Sequence, residues 1–442
     1  MVAAESWIRA GRRDTAVTRL PAFLNARLPF YYGWVVLGCV CCAGFARQGP
    51  AVATLSIFVE PMTADFGWSR TAISGAVSLG GLLAAVTSPY LGVLLDRHGA
   101  RTMLCLAIVA TGFATMGLSL IGSLLFFYLL YCIGRMNFAG PFDLGIYGAI
   151  NSWFVERRPL ATSIATLAQM FGLMSMPLIA HFAIQAGDWR SGWVAVGITV
   201  LTIGLLPTWL LMARRPEDLG LLPDRSRAAT AAEHARPSSD PIAEPVFTRA
   251  QAMRTPAFWM LALYTLLIYP VQAGISLHQA PHLIESGLAP TVAATVISTF
   301  SFASAIAGFG LGIVTRRIGV SAALMLVGVC LSASAIALVG VAGALHAYLA
   351  AMVFGIGIGG LTTVLPIAWA DYFGRRSFGA IRGVALTIQV TAQASGPLLS
   401  GALRDWTGDY TLSLEVFAAL SLAGTVAILF ARPPRAPASA TV

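Results

Sequence analysis

Gly92-Val93-Leu94-Leu95-Asp96-Arg97-His98-Gly99-Ala100-Arg101 stands between two long apolar runs, each of about twenty residues, the length that crosses a bilayer as a helix. One acid and two arginines punctuated by glycine, between such runs, read as a tight loop at a membrane surface. A similar phrase, Gly312-Ile313-Val314-Thr315-Arg316-Arg317-Ile318-Gly319, returns 220 positions later. A hinge repeated at half the chain length predicts a duplicated helix bundle.

Composition points the same way. Hydrophobic residues make up 57% of the chain and charged residues 11%, against about 25% charged in a soluble domain. Mean hydropathy is +0.77. The positive side of the formal +9 is arginine alone, because the chain has no lysine. Nucleic-acid binding would be one meaning of such an excess, but the arginines cluster in short segments between apolar runs. The six cysteines all fall inside apolar runs, where they read as packing residues. Residues 1–29 carry five arginines without an apolar core and cleavage site, so no signal peptide is expected.

Lipid offers no partner for backbone N–H and C=O groups, so each apolar run is expected as a helix. Twelve runs are present, over 31–57, 71–92, 102–122, 124–150, 160–183, 190–213, 257–280, 289–314, 319–342, 345–370, 379–402 and 410–431. The expected fold is an all-α polytopic membrane protein of twelve transmembrane helices in two pseudo-symmetric six-helix halves. The N-terminus, the loops after even-numbered spans and the C-terminus hold 23 of the 28 arginines. By the positive-inside rule both termini are cytoplasmic. The organisation expected is a cytoplasmic N-terminal segment over 1–29 and a six-helix bundle over 30–213. A flexible cytoplasmic linker over 214–254, a second six-helix bundle over 255–431 and a disordered tail over 432–442 follow.

The repeat extends beyond the hinge. Trp153-Phe154-Val155-Glu156-Arg157-Arg158 matches Tyr372-Phe373-Gly374-Arg375-Arg376, and Gly187-Asp188-Trp189 matches Gly408-Asp409-Tyr410. Two like halves around a central cleft are how one membrane site opens alternately to either side. With these landmarks the sequence resembles the major facilitator superfamily of secondary transporters over nearly all of 30–431, and Gly92-x-Leu94-x-Asp96-Arg97-x-Gly99-x-Arg101 looks like that superfamily's loop 2–3 signature. Within it, Tyr31-Tyr32-Gly33-Trp34, Phe66-Gly67-Trp68-Ser69-Arg70, Trp153-Phe154 with Arg157-Arg158, and Arg215-Pro216-Glu217-Asp218-Leu219-Gly220-Leu221 look like the bacterial monocarboxylate and oxalate–formate group. The resemblance implies a secondary transporter of a small organic anion, with proton symport, in a bacterial inner membrane and functional as a monomer. It also implies an arginine in span 8, where this chain has Gly308, and a tyrosine where it has Asp143. The first departure leaves open a larger, less charged cargo, an exporter or an uncoupled facilitator.

Charges within spans are costly unless paired or wet, and so mark function. Arg135, about eleven residues into span 4, lies near the midplane and is the candidate anion site. Arg47, beside Gly49-Pro50, is a second substrate candidate, and Asn137 a third. Asp143 lies two turns past Arg135, too far for easy pairing. A carboxylate remote from a cation takes up protons readily, so Asp143 is the candidate proton carrier, joined by His278. From the second half, Tyr264, Tyr269, Gln272, Ser301, Ser304, Thr362, Thr363, Gln389 and Gln393 are candidate substrate contacts, each also readable as an ordinary interhelical bond. Arg382 is placed only at the inner edge of span 11.

At the loops, Asp96, Arg97, Arg101, Glu156, Arg157 and Arg158 are expected to form an ion-pair network that gates the inner side. Arg316, Arg317, Arg375 and Arg376 are its weaker counterpart, since Thr315 replaces the acid. His278 and His282 have a spacing that zinc could use, but Pro281 between them favours wet loop histidines. No metal, cofactor or nucleic-acid partner is expected. No nucleophile–base constellation argues for an enzyme. A membrane sensor on the carrier fold is the remaining alternative to transport.

Overall fold

The computed structural model of the chain describes residues 19–68, 70–224 and 247–434. The N-terminal eighteen residues, most of the linker and the end of the tail lie outside the described residues. A short helix α1 (Arg19–Arg27) is followed by α2 (Gly33–Ala46), α3 (Val52–Phe66), α4 (Arg70–His98), α5 (Ala100–Gly117), α6 (Leu124–Ala139) and α7 (Pro141–Trp153). Then come α8 (Arg158–Ala186), α9 (Trp189–Thr199) and α10 (Leu206–Leu211), the last two joined by a π-helical turn over Val200–Leu205. Beyond the linker lie α11 (Arg249–Met253), α12 (Pro256–Glu285), α13 (Pro290–Ile318), α14 (Val320–Val339), α15 (Ala344–Phe373), α16 (Phe378–Thr407) and α17 (Thr411–Phe430).

Nine helices among the described residues are long and apolar enough to cross a membrane. The other three of the twelve expected spans differ for sequence reasons. Span 11 is α16, whose polar face carries Arg382, Thr387, Gln389 and Gln393. Span 1 is broken into α2 and α3 at Gln48-Gly49-Pro50, because proline cannot donate to the helix ladder. Span 4 is broken into α6 and α7 at Gly140-Pro141, with Gly140 at φ −109°, ψ −88°.

Broken helix inside a membrane needs other donors for its freed carbonyls, and the chain supplies them. Thr54 Oγ1 donates to the Gln48 carbonyl at 2.9 Å, Tyr131 O–H to the Pro50 carbonyl at 3.1 Å and Arg47 Nε–H to the Phe138 carbonyl at 2.9 Å. Both breaks are thereby held in fixed geometry.

By packing, the chain divides into two units. The first comprises the chain up to Gly80, Leu94–Ala161 and the segment from Phe171 to the linker. The second comprises Gly81–Val93, Thr162–Met170 and the segment from the linker to the C-terminus. Inner stretches of α4 and α8 therefore pack within the second unit. There Thr387 Oγ1 donates to the Ala85 carbonyl at 2.6 Å, and Ser163 Oγ to the Gly308 carbonyl at 3.1 Å. Glycines bring backbones together at this seam: a Cβ on Gly92 would strike the Gly379 carbonyl, and one on Gly383 would stand 2.5 Å from the Ser88 carbonyl oxygen.

The internal repeat is visible in backbone geometry. Gly99 and Gly319 both turn their loops at φ 83°, a conformation open to glycine without cost. Each end of the linker also docks on a matched landmark. Asp224 pairs with Phe154 as a parallel bridge, and Phe247 N–H donates to the Phe373 carbonyl at 3.4 Å. The chain over 214–224 is thus a strap rather than a free linker. Arg214 Nη2 donates to the Arg97 carbonyl at 2.5 Å, and Arg215 Nη2 to the Asp96 carbonyl at 3.5 Å. Asp224 accepts from the Val155 and Arg157 N–H groups. Burial pushes the Asp224 carboxyl up, against these N–H groups, which pull it down.

Candidate functional site

In the first unit the two helix breaks meet around one cluster of charge. Arg47 caps α2, Arg135 lies on α6 four residues before its end, and Asp143 lies in the first turn of α7. The guanidinium carbons of Arg47 and Arg135 each stand 4.6 Å from the centroid of the Phe138 ring. Phe138 is therefore flanked by two cations, an arrangement its ring quadrupole favours. Gly80 leaves room for the Arg135 stem, since a Cβ there would lie 2.6 Å from Arg135 Cβ.

Asp143 is 5% exposed, and its Oδ2 lies 3.7 Å from Arg47 Nη2. The expectation of a carboxylate remote from any cation is corrected here. Its distance from Arg135 along the chain was read rightly, but the break in span 1 turns Arg47 inward to meet it. Asp143 also faces the positive end of the α7 dipole. Arg135 differs from Arg47. Its Nε is buried with no hydrogen-bond partner, so at least one N–H donor of this second cation is unspent within the protein. Asn137, 5% exposed, likewise has an unpartnered amide nitrogen.

Removing Asp143 would leave the Arg47 guanidinium buried beside Arg135. Breaking a buried pair by deleting one partner costs about 3–5 kcal/mol, and the 3.7 Å spacing puts this pair at the lower end. We expect D143A to lower thermal stability, and the double variant R47M/D143L to recover most of the loss. A D143A protein that melts like wild type would show the pair to be unimportant for the fold.

The second unit supplies amides and hydroxyls. Gln393 Nε2 donates to Gln272 Oε1 at 3.1 Å, and Arg382 Nη2 to Gln389 Oε1 at 2.8 Å. Arg382 is only 1% exposed. It lies in the second turn of α16, at the inner edge of span 11 as expected, and the Arg382 and Gln389 side chains together bridge the two turns between them. Residues 382, 389 and 393 fall on one face, a pattern the sequence carried at spacings of seven and four. Gly308 sits in close quarters: a Cβ would lie 3.2 Å from both the Gly359 carbonyl oxygen and Thr363 Oγ1, so a neighbour would have to give by a few tenths of an ångström. The position of the related carriers' arginine is a helix crossing here.

Among the other candidates, Tyr264, Ser301 and Thr362 spend their hydroxyls on backbone carbonyls. Tyr264 is fully buried and donates to the Leu324 carbonyl at 2.9 Å, so its hydroxyl is consumed by packing. Tyr269 is also buried, at 6% exposed. Ser301 donates to its own helix at Ile297, and Thr362 to Ile358 and Gly359. The Ser304 carbonyl lies where a Cβ on Gly359 would strike, and Thr363 Oγ1 is buried without a partner. His278 and His282 are not wet loop residues. The helix continues past Pro281 to Glu285, and His282 is 8% exposed. No group of three metal-ligating side chains occurs among the described residues.

At the loops the strap takes part in what was expected as side-chain ion pairing. Arg101 donates to the Trp209 carbonyl. Arg157 N–H goes to Asp224, and Glu156 N–H to the Asp224 carbonyl at 3.3 Å. Arg158 is 2% exposed and donates to the Phe154 carbonyl at 3.2 Å. Arg316, Arg317 and Arg376 are exposed and Arg375 half-buried.

Comparison with known proteins accords with this architecture. The family model described as Major Facilitator Superfamily matches residues 36–283. Monocarboxylate transporter 11 of Mus musculus is 25% identical over 411 residues, covering 89% of this chain and 86% of the relative. The membrane sensor protein UhpC of Salmonella typhimurium is 24% identical over 358 residues, covering 78% and 80%. Among solved structures, the proton:xylose symporter XylE superposes with a TM-score of 0.72 at 14% identity, over 91% of this chain and 96% of that one. The human organic anion transporter MFSD10 gives 0.68 at 14% identity, over 90% and 99%. Duplicated six-span halves, the loop 2–3 signature and a family match over more than half its length place this integral membrane protein in the major facilitator superfamily.

Proposed function

We propose that the chain is a secondary transporter that moves a small organic monoanion, a monocarboxylate, by alternating access with proton symport. The observation that carries this reading is Arg135, a cation at helix-break depth whose Nε is buried without a hydrogen-bond partner. Broken helices lining a midplane site are how transporters of several folds bind charged substrates. A guanidinium fork suits a carboxylate, giving paired charge-assisted bonds.

The Arg47–Asp143 pair supplies the coupling. A proton taken by Asp143 weakens its hold on Arg47, which already shares the Phe138 ring with Arg135. Both guanidiniums can then meet the anion. One monoanion entering with one proton moves no net charge, so an acidic exterior drives uptake. The arginine distribution supports cytoplasmic termini in a bacterial inner membrane, and the protein acts as a monomer. The gate residues Asp96, Arg97, Arg101, Glu156, Arg157 and Arg158 and the seam between α4 and α16 close the inner side in this scheme.

Counterflow in proteoliposomes, with a panel of monocarboxylates and an acid-outside gradient, tests the reading. Accumulation of a monocarboxylate that collapses with the pH gradient is expected. The likeness to a membrane sensor favours a second reading, and specific binding of a monocarboxylate without any counterflow would select it. Movement of only neutral, larger compounds would overturn the anion assignment, as Gly308 in place of the expected arginine would then explain.

A further inference from the structure

The end of α12 remote from the linker holds an unused cluster in the second unit. Gln279 is 2% exposed, and neither its Oε1 nor its Nε2 has a hydrogen-bond partner in the protein. An amide left unmade in the interior is a costly defect. Beside it lies a cavity with about 10 Å³ of space for the centre of a water, lined by His278, His282, Leu338, Ser400 and Tyr410 among others. That is close to the room one water requires.

The tautomers follow from the acceptors. His282 Nε2 lies 2.7 Å from the Leu338 carbonyl oxygen. A carbonyl only accepts, so Nε2 carries hydrogen and Nδ1 is the basic nitrogen. His278 is fixed alike, with Nε2 at 3.2 Å from the Pro397 carbonyl and Nδ1 at 3.2 Å from Tyr410 O–H. Ser400 Oγ accepts from Ser413 at 2.7 Å, which leaves its own hydrogen to donate. The residues lining the cavity thus include a histidine with one acceptor nitrogen, a serine with a hydrogen to donate and an amide that offers both. No carboxylate is among its lining residues.

We propose that this cavity is a hydrated proton-acceptor site, in which one water bridges Gln279, His282 Nδ1 and Ser400 and delivers a proton to His282. In that step an O–H bond of hydronium breaks, an N–H bond forms at Nδ1, and water remains. The new donor then meets the water or Gln279 Oε1, so no buried hydrogen is left unpaired. The charges facing the site suit a cation on His282. Leu338 lies in the last turn of α14, whose dipole is negative there. Arg404 of α16 is paired with Glu285 of α12 at 2.9 Å. Asp405 and Asp409 are acids, Tyr410 is a neutral hydroxyl, and His278 of α12 is already bonded on both nitrogens. The proton role assigned to His278 by sequence moves one turn along, to the histidine that lines the water with a nitrogen to spare. This site is independent of Asp143 and does not rest on the transport reading.

The test uses the full chain in lipid nanodiscs with histidine-selective ¹⁵N labelling, moved from about pH 7.5 to about pH 5.5, where histidine exchanges a proton. The His282 Nδ1 signal is expected to move toward the protonated value and to show a cross-peak to a slowly exchanging water. In Q279L the ratio of protonated to neutral His282 at the acid end should fall by about tenfold, the effect of one lost hydrogen bond to a charged group. Q279L should also melt at a lower temperature than wild type. A rise instead would mean that the amide was dry and merely unsatisfied, and would overturn the proposal. So would a wild-type Nδ1 signal that stays put on acidification, a result that needs no variant to fold.

Discussion

Replacing Arg135 with alanine is expected to reduce monocarboxylate counterflow by about a hundredfold or more, while leaving the melting temperature unchanged or slightly raised. The two readouts separate because Arg135 donates nothing to the protein through Nε. Its desolvation is offset in the unliganded fold only in part, by the Phe138 ring, and replacing a buried charge of this kind by an apolar group is often neutral or stabilising. Its contribution to a bound carboxylate is large, since two charge-assisted bonds in a dry site are worth about 1.5–3 kcal/mol each. R135K sharpens the test. It keeps the charge but loses the fork, and about a tenfold loss is expected from one of the two bonds. Wild-type anion affinity in R135K would reject the carboxylate role, and wild-type counterflow in R135A would remove Arg135 from the mechanism. D143A should behave in the opposite way on stability, because it takes the facing carboxylate from the buried Arg47 charge rather than emptying a site.

Valine at Gly383 should lower counterflow by about tenfold to a hundredfold, through the fold rather than the substrate. A Cβ at that position stands 2.5 Å from the Ser88 carbonyl oxygen and 3.2 Å from Pro89 Cα. Both obstacles are backbone, so no rotamer relieves them and the helices must separate. Overpacking of this kind costs about 1–3 kcal/mol, which is tenfold to a hundredfold in the population of the seam formed by α4 and α16. Gly92→Ala should act alike, against the Gly379 carbonyl. Gly81→Ala is the control on the same helix, where the nearest atom to an added Cβ is Val390 Cγ1 at 4.0 Å. Hydrogen exchange over 81–93 and 378–390 should rise in Gly383→Val and not in the control. Unchanged exchange together with wild-type counterflow would mean that this seam neither closes tightly nor matters to the cycle.

The division between what could be read from sequence and what could not follows the range of the interactions concerned. Twelve spans and their duplication were legible because lipid forces each apolar run of sufficient length to satisfy its own backbone, a constraint local to the run; the ten-residue loop expected at Gly92–Arg101 is corrected, because α4 runs on to His98 and α5 starts at Ala100, leaving Gly99 alone as the turn. The hinge glycines were legible for a related reason, as Gly99 and Gly319 supply the left-handed turn that other residues resist. Arg135 and Asp143 stood out because an isolated charge in an apolar run is visible without any partner. Their partners were not visible. The direction in which Arg47 turns depends on the break at Gly49-Pro50 and on the Phe138 carbonyl, ninety-one positions away. Only packing brings those together, and it converted a solitary carboxylate into an ion pair. The same holds for Arg382, whose side chain was read by its Cα position while its guanidinium is fixed by Gln389. It holds for Asp224, a linker acid whose role is set by the N–H groups of a loop some seventy residues earlier. Composition and periodicity determined the class of molecule and the few residues that break its apolar pattern. Tertiary structure alone decided which of those residues neutralise one another and which is left with a donor unspent, because pairing of charges depends on distances of a few ångströms between helices far apart in the chain.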